Sequence, residues 1–153
     1  MIDENYPYTA MYLMLSGQLE SGKIPELDGL SVKFNVITGG QWHLHTGNDT
    51  GVSQHAYKSM HSSDRVVWNF PFEMIYRMND ISGWPRVCVT MTSRDWLGND
   101  VIAGYGIIHI PTQPGSHSRY VQIFRPRTSS YISTFVGWLT SRPAEYTNPI
   151  ELL

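Results

Sequence analysis

Cysteine is nearly missing from this chain of 153 residues: Cys88 stands alone, so no disulfide can close within it. A single thiol fits a reducing compartment better than a stapled secreted module, which points to a cytoplasmic protein. Charge is scarce as well, with 11 Lys and Arg against 13 Asp and Glu. A formal charge of -2 provides no global basic field of the kind that draws nucleic acid, so a nonspecific polyanion binder is disfavoured. No segment approaches the ~18 to 20 uninterrupted apolar residues needed to cross a bilayer. The early apolar run Ala10 to Leu15 follows Asp3 and Glu4, whereas a signal peptide wants a cationic start. Any membrane association is therefore expected to be peripheral. Also absent are a Gly-x-Ser-x-Gly elbow, a His-Glu-x-x-His pair and any paired-carboxylate motif, and the chain reads as a non-enzyme.

What is present is apolar and aromatic: 41% hydrophobic and 12% aromatic residues suit one folded domain. Leu30, Val32, Phe34 and Val36 alternate with Ser31, Lys33 and Asn35, the period-two mark of a half-buried strand. Phe72, Met74, Tyr76 and Met78 repeat it, as do Val87, Val89 and Met91 against Cys88, Thr90 and Thr92. Further β-rich runs span Val101 to Ile110 and Tyr120 to Phe124. Gly39-Gly40, Gly47-Asn48-Asp49, Asn79-Asp80, Gly98-Asn99-Asp100 and Pro114-Gly115 separate them and supply turns. Strand, turn, strand at short spacing predicts an antiparallel, two-layer, all-β sandwich. One segment departs from this: Tyr131, Ile132, Phe135, Val136, Trp138 and Leu139 recur at helical spacing. A short helix is expected there, capped by Ser129 or Ser130 and ended by Arg142-Pro143.

Few residues carry chemistry. His43-x-His45, with His55 and His61 nearby, has the donors for a metal site, but no acid or thiol stands at a spacing that completes one. That stretch reads as a polar loop, and no metal or other cofactor is expected. Cys88 lies mid-strand as a buried thiol, and Gly104-Tyr105-Gly106 as a strand irregularity. Trp68 and Trp84 belong to β or turn context and read as core. Trp96 and Leu97 differ, because they sit in the connection from Arg94 to Asp100, where Gly98-Asn99-Asp100 demands a turn. Two large apolar side chains at a loop tip would dock a protein or dip into a membrane interface, with Arg94 beside them; the alternative is a loop folded back on the sandwich.

Gly17-Gln18-Leu19-Glu20-Ser21, Trp68-Asn69-Phe70-Pro71, Gly83-Trp84-Pro85, Gly98-Asn99-Asp100-Val101 with Gly104-Tyr105-Gly106, and Arg142-Pro143 followed by Glu145-Tyr146-Thr147 occur in that order. Together, from about Tyr12 to Pro149, they resemble the B9-domain family. The resemblance implies a C2-like antiparallel β-sandwich, with residues 10–153 as the domain and residues 1–9 as a flexible N-terminal extension. It implies a non-catalytic scaffold component of the Meckel syndrome (tectonic-like) complex at the ciliary transition zone and basal body, needed to build cilia and to gate them. The implied partners are the two other B9-domain proteins, including the Meckel syndrome type-one protein, and the transmembrane members of that complex. A different class of function, an autonomous calcium-independent phospholipid-binding module, stands as the alternative. Calcium chemistry is not expected: where wider C2 relatives place a carboxylate pair, this chain reads Thr92-Ser93-Arg94, and residues 38 to 54 offer only Asp49. The family's final strand after the Glu-Tyr-Thr block is expected to be missing.

Overall fold

A computed structural model describes residues 10–60 and 64–125. Seven strands run in chain order: β1 (Met11–Gly22), β2 (Leu30–Ile37), β3 (Trp42–Gly47), β4 (Thr50–Val52), β5 (Val66–Met78), β6 (Arg86–Arg94) and β7 (Asp100–His109). They form two antiparallel sheets, one ordered β1-β5-β3 and the other β4-β2-β6-β7. The all-β sandwich is therefore the observed fold. The expected C-terminal helix, the N-terminal extension and the question of a final strand lie outside the described residues.

Period-two alternation builds the core. Leu30, Val32, Phe34 and Val36 of β2 and Val87, Val89 and Met91 of β6 face Trp68, Met74, Tyr76 and Met78 of β5. Phe34 joins the sheets directly, with its ring centroid 6.0 Å from Phe70 and 5.6 Å from Phe72. At one end of the sandwich Trp42 stands edge-on to Trp84 at 5.3 Å. Its indole N–H donates to the Ser82 carbonyl, and that of Trp84 to the Ile110 carbonyl, each at 2.8 Å. Trp68 donates to the Leu30 carbonyl at 2.8 Å, so each of these indoles buries its ring without orphaning its one donor.

β6 is more enclosed than its alternation suggests. Cys88 and Thr90 point away from the inter-sheet core yet are buried. Register explains this: Cys88 lies between Asn35 and Ile107, and Thr90 between Lys33 and Tyr105, so larger neighbours on both adjoining strands shade a small side chain. Burial pushes the Cys88 pKa up to about 11, which makes the thiol an unreactive one.

Three expectations change. The stretch holding His43 and His45 is strand β3 rather than a polar loop. It pairs Trp42 with Met78 and His43 with Arg77, then slips register between Leu44 and Thr46. Only Trp42 of this edge strand is buried, and the bulge breaks its alternation, which gives it a loop-like composition. Residues 50–52, also read as loop, form the short edge strand β4. Tyr120 to Phe124 is not a regular strand: Phe124 alone bridges to Tyr105, with N–H···O bonds of 2.8 and 3.0 Å. Val121 and Ile123 lie over the glycines of β7 instead, where a Cβ on Gly106 would come within 2.6 Å of the Val121 side chain and 2.9 Å of the Gln122 carbonyl oxygen. The Gly104-Tyr105-Gly106 irregularity is real, since the β6–β7 register shifts between Met91 and Thr92 beside it.

Candidate functional site

Antiparallel register gathers three connections at one end of the sandwich. Leu30 pairs with Ser93, Val52 with Lys33 and Val66 with Gly22. The link from β1 to β2, the segment after β4 and the β6–β7 hairpin therefore share that end. Arg94 and Asp100 form the last pair of the hairpin, which leaves Asp95 to Asn99 as its tip.

Asp95 organises the tip. Its carboxylate accepts from the Leu97 N–H at 2.9 Å, the Asn99 N–H at 2.8 Å and the Asn99 side-chain amide at 3.1 Å. The Gly98 N–H donates to the Asp95 carbonyl at 3.0 Å, and the Asp95 N–H to the Asn99 carbonyl at 2.9 Å. Gly98 takes φ of +85°, a left-handed turn position that a side chain would strain. Asn99, first through its backbone N–H and then through its side chain, holds the Asp95 carboxyl below the ordinary 3.8 and keeps it ionised. The backbone of the tip thus satisfies itself, and its apolar side chains are left to point outward.

Trp96 is 91% exposed and Leu97 64%. The loop does not fold back on the sandwich. Arg94 differs from a free cation: its Nε lies 3.7 Å from an Asp100 carboxylate oxygen. Nε2 of His55, a residue with no motif to mark it as part of this site, approaches the same oxygen at 3.3 Å. His55 is placed by its anchored segment, in which Leu30 and Ala56 exchange backbone hydrogen bonds and the Ser53 hydroxyl accepts from Val32 N–H. Tyr57, packed over Gly29, and Met60 add exposed apolar surface to this end. Lys58 donates to the Pro25 carbonyl at 2.9 Å, and Lys23 pairs with Asp64 at 2.9 Å.

The histidines do not converge. His45 meets Tyr12 edge-on with ring centroids 5.4 Å apart, on the opposite sheet from the strand that carries Asp100 and its His55 contact. Among the described residues no three of His, Cys, Asp and Glu are grouped to hold a metal ion. Thr92 spends its hydroxyl on Ser31 at 2.6 Å, and Asp49 lies in the connection of β3 to β4, at the other end of the sandwich. Among the same residues no helix is long and apolar enough to cross a membrane.

Fold and site together define an antiparallel β-sandwich module whose most conspicuous surface is a rigid apolar loop tip. Residues 13–153 match the family described as ciliary basal body-associated B9 protein, so the chain belongs to the B9 family. It is 38% identical over 137 residues to B9 domain-containing protein 1 of Xenopus laevis, covering 90% of this chain and 69% of that relative. It is also 38% identical to B9 domain-containing protein 1 of Mus musculus, over 90% of this chain and 67% of the relative. B9 domain-containing protein 2 of Rattus norvegicus is 31% identical over 97 residues, 63% of this chain and 54% of the relative. No solved structure matches the chain.

Proposed function

We propose that this protein is a non-catalytic scaffold component of the Meckel syndrome (tectonic-like) complex at the ciliary transition zone, where it serves ciliogenesis and ciliary gating. Its partners in this reading are the two other B9-domain proteins, including the Meckel syndrome type-one protein, and the transmembrane members of the complex. Residues 10–153 act as the domain, with residues 1–9 as an extension to it. The observation that carries the reading is the Trp96–Leu97 tip: a pre-ordered hairpin presents two large apolar side chains, and Trp is the residue type most enriched at the energetic centres of protein interfaces. Little ordering entropy is lost when such a tip docks. Several B9 subunits joined in this way under the ciliary membrane would gain effective concentration from one another.

Co-purification of the full chain with the two sister B9-domain proteins tests this. Trp96→Ala is expected to weaken recovery of the assembly while the circular dichroism spectrum stays that of the wild type. Unchanged recovery would clear the tip of the role.

Exposed Tyr57 and Met60 at the same end favour a second reading, a calcium-independent phospholipid-binding module. At that end Lys23 pairs with Asp64, Arg94 with Asp100 and Arg125 with Glu26, so it offers an anionic leaflet no net basic field. Flotation of the isolated chain with anionic vesicles would put this reading first.

A further inference from the structure

The β6–β7 hairpin carries a second feature at the end opposite Trp96. β7 and the returning segment Arg119–Val121 splay apart from the single bridge at Tyr105 and Phe124, and a cleft of about 450 Å³ opens between them. The cleft is open to solvent; Ile107, Ile108, Ile110 and Val121 give it an apolar lining, and Tyr120, 92% exposed, stands at its edge. That volume lies in the range of small-ligand pockets, enough for an aromatic and an aliphatic side chain together. Arg119 stands at the rim and has no ion-pair partner among the described residues. At the tip of the hairpin Arg94 and His55 already face Asp100, and Asp95, beside Trp96, is the carboxylate with no cationic partner among the described residues.

We propose that the Trp96–Leu97 tip of one copy of this chain inserts into the Ile108–Ile110–Tyr120 cleft of a second copy, with Arg119 meeting the Asp95 carboxylate. Three observations support it. The two surfaces match in chemistry, a pre-ordered apolar knob against an apolar cleft, with acid facing Arg. They cannot meet within one molecule, because the ten residues of β7 hold them about 30 Å apart. They also differ from one another, so the contact is heterologous and runs head to tail; each added copy leaves one knob and one cleft free, and the assembly grows past a pair, as an open row or until it closes into a ring. The inference rests on the scaffold reading and gives it a geometry.

Sedimentation velocity of the full chain over a wide concentration range provides the test. The wild type is expected to grow past a pair as concentration rises. Trp96→Ala, which blunts the knob, and Tyr120→Ala, which opens the cleft, should each weaken association by about 30-fold, the scale of an interface hot spot. Mixing the two is decisive: the intact knob of Tyr120→Ala fits the intact cleft of Trp96→Ala, so the mixture should stop at a pair, twice the 17.5 kDa of one chain. Leu97→Ala and Arg119→Glu serve as second variants of knob and cleft if either first variant loses the wild-type circular dichroism spectrum. A wild type that stays monomeric, single variants that associate as the wild type does, or a mixture with no pair would each overturn the proposal. If the chain stays monomeric but captures a sister B9 domain through Trp96, this geometry fails and the scaffold reading stands. If it captures neither a copy nor a sister domain, both fail.

Discussion

Asp95 shows how one carboxylate can stand in for packing. It has no core contact, yet three donors of its own hairpin converge on it and set the direction in which Trp96 and Leu97 project. Asp95→Ala is therefore expected to loosen the tip without unfolding the domain: the Leu97 and Asn99 amides should exchange hydrogen faster while those of β2 and β6 keep their protection. Equal protection at the tip in the variant would show that Gly98 and the backbone suffice. Tyr76 poses the opposite problem, a buried hydroxyl with no hydrogen-bond partner among the described residues. Burial first, then the charge of Asp49, pushes its pKa upward and keeps it neutral. Tyr76→Phe removes an unsatisfied group and keeps the ring that packs on Trp42, so thermal and denaturant midpoints should hold or rise. A loss above about 1 kcal/mol would mean that the hydroxyl has a partner.

At the scale of elements, the strands that alternate cleanly are the ones their residues announce. β2, β6 and the second half of β5 place one alternating apolar face against the other sheet, and packing of that kind writes a period of two. β1 does not announce itself, because it is a sheet edge exposed on much of both faces, and its run Met11 to Leu15 lacks polar alternation. β3 is hidden by its bulge and by histidines that face outward. The turn at the tip was legible because Asp, Gly and Asn mark one in any context, whereas the exposure of Trp96 was not, since a loop folded back on the sandwich has the same residues. His55 was not legible, since only the fold brings residues 55 and 100 together. The cleft was equally hidden, because it depends on where the chain leaves β7. Gly106 tests that departure. With a methyl group set against the Val121 side chain and the Gln122 carbonyl, Gly106→Ala should cost about 1–3 kcal/mol of stability and raise exchange at the Phe124 amide. A silent substitution would show that the returning segment yields.

For the molecule as a whole, acid stability follows from three carboxylates. Asp64 is held low by Lys23, Asp80 by Ser82 and Asp95 by Asn99, each below the ordinary 3.8. A group with a depressed pKa in the fold stabilises it above its unfolded pKa and loses that contribution as pH falls through the folded value. The melting temperature should thus hold from neutrality to mildly acid solution and drop below about pH 4. Added salt should shrink the Asp64 part, because that pair with Lys23 is exposed, and leave the Asp95 part within its turn. A midpoint that already falls between pH 7 and pH 5 would show that these three carboxylates do not set the acid limit.

The pairing of Met11 with Met78 has a consequence during synthesis. β1 leaves the ribosome first, but its mate β5 ends 67 residues later, and translation at roughly 5–20 residues per second imposes a wait of several seconds. Throughout that wait Met11 to Leu19 is a nascent stretch without a single charge or proline, the composition that recruits other unfolded chains. Newly made protein should accordingly depend on holding chaperones until β5 has emerged.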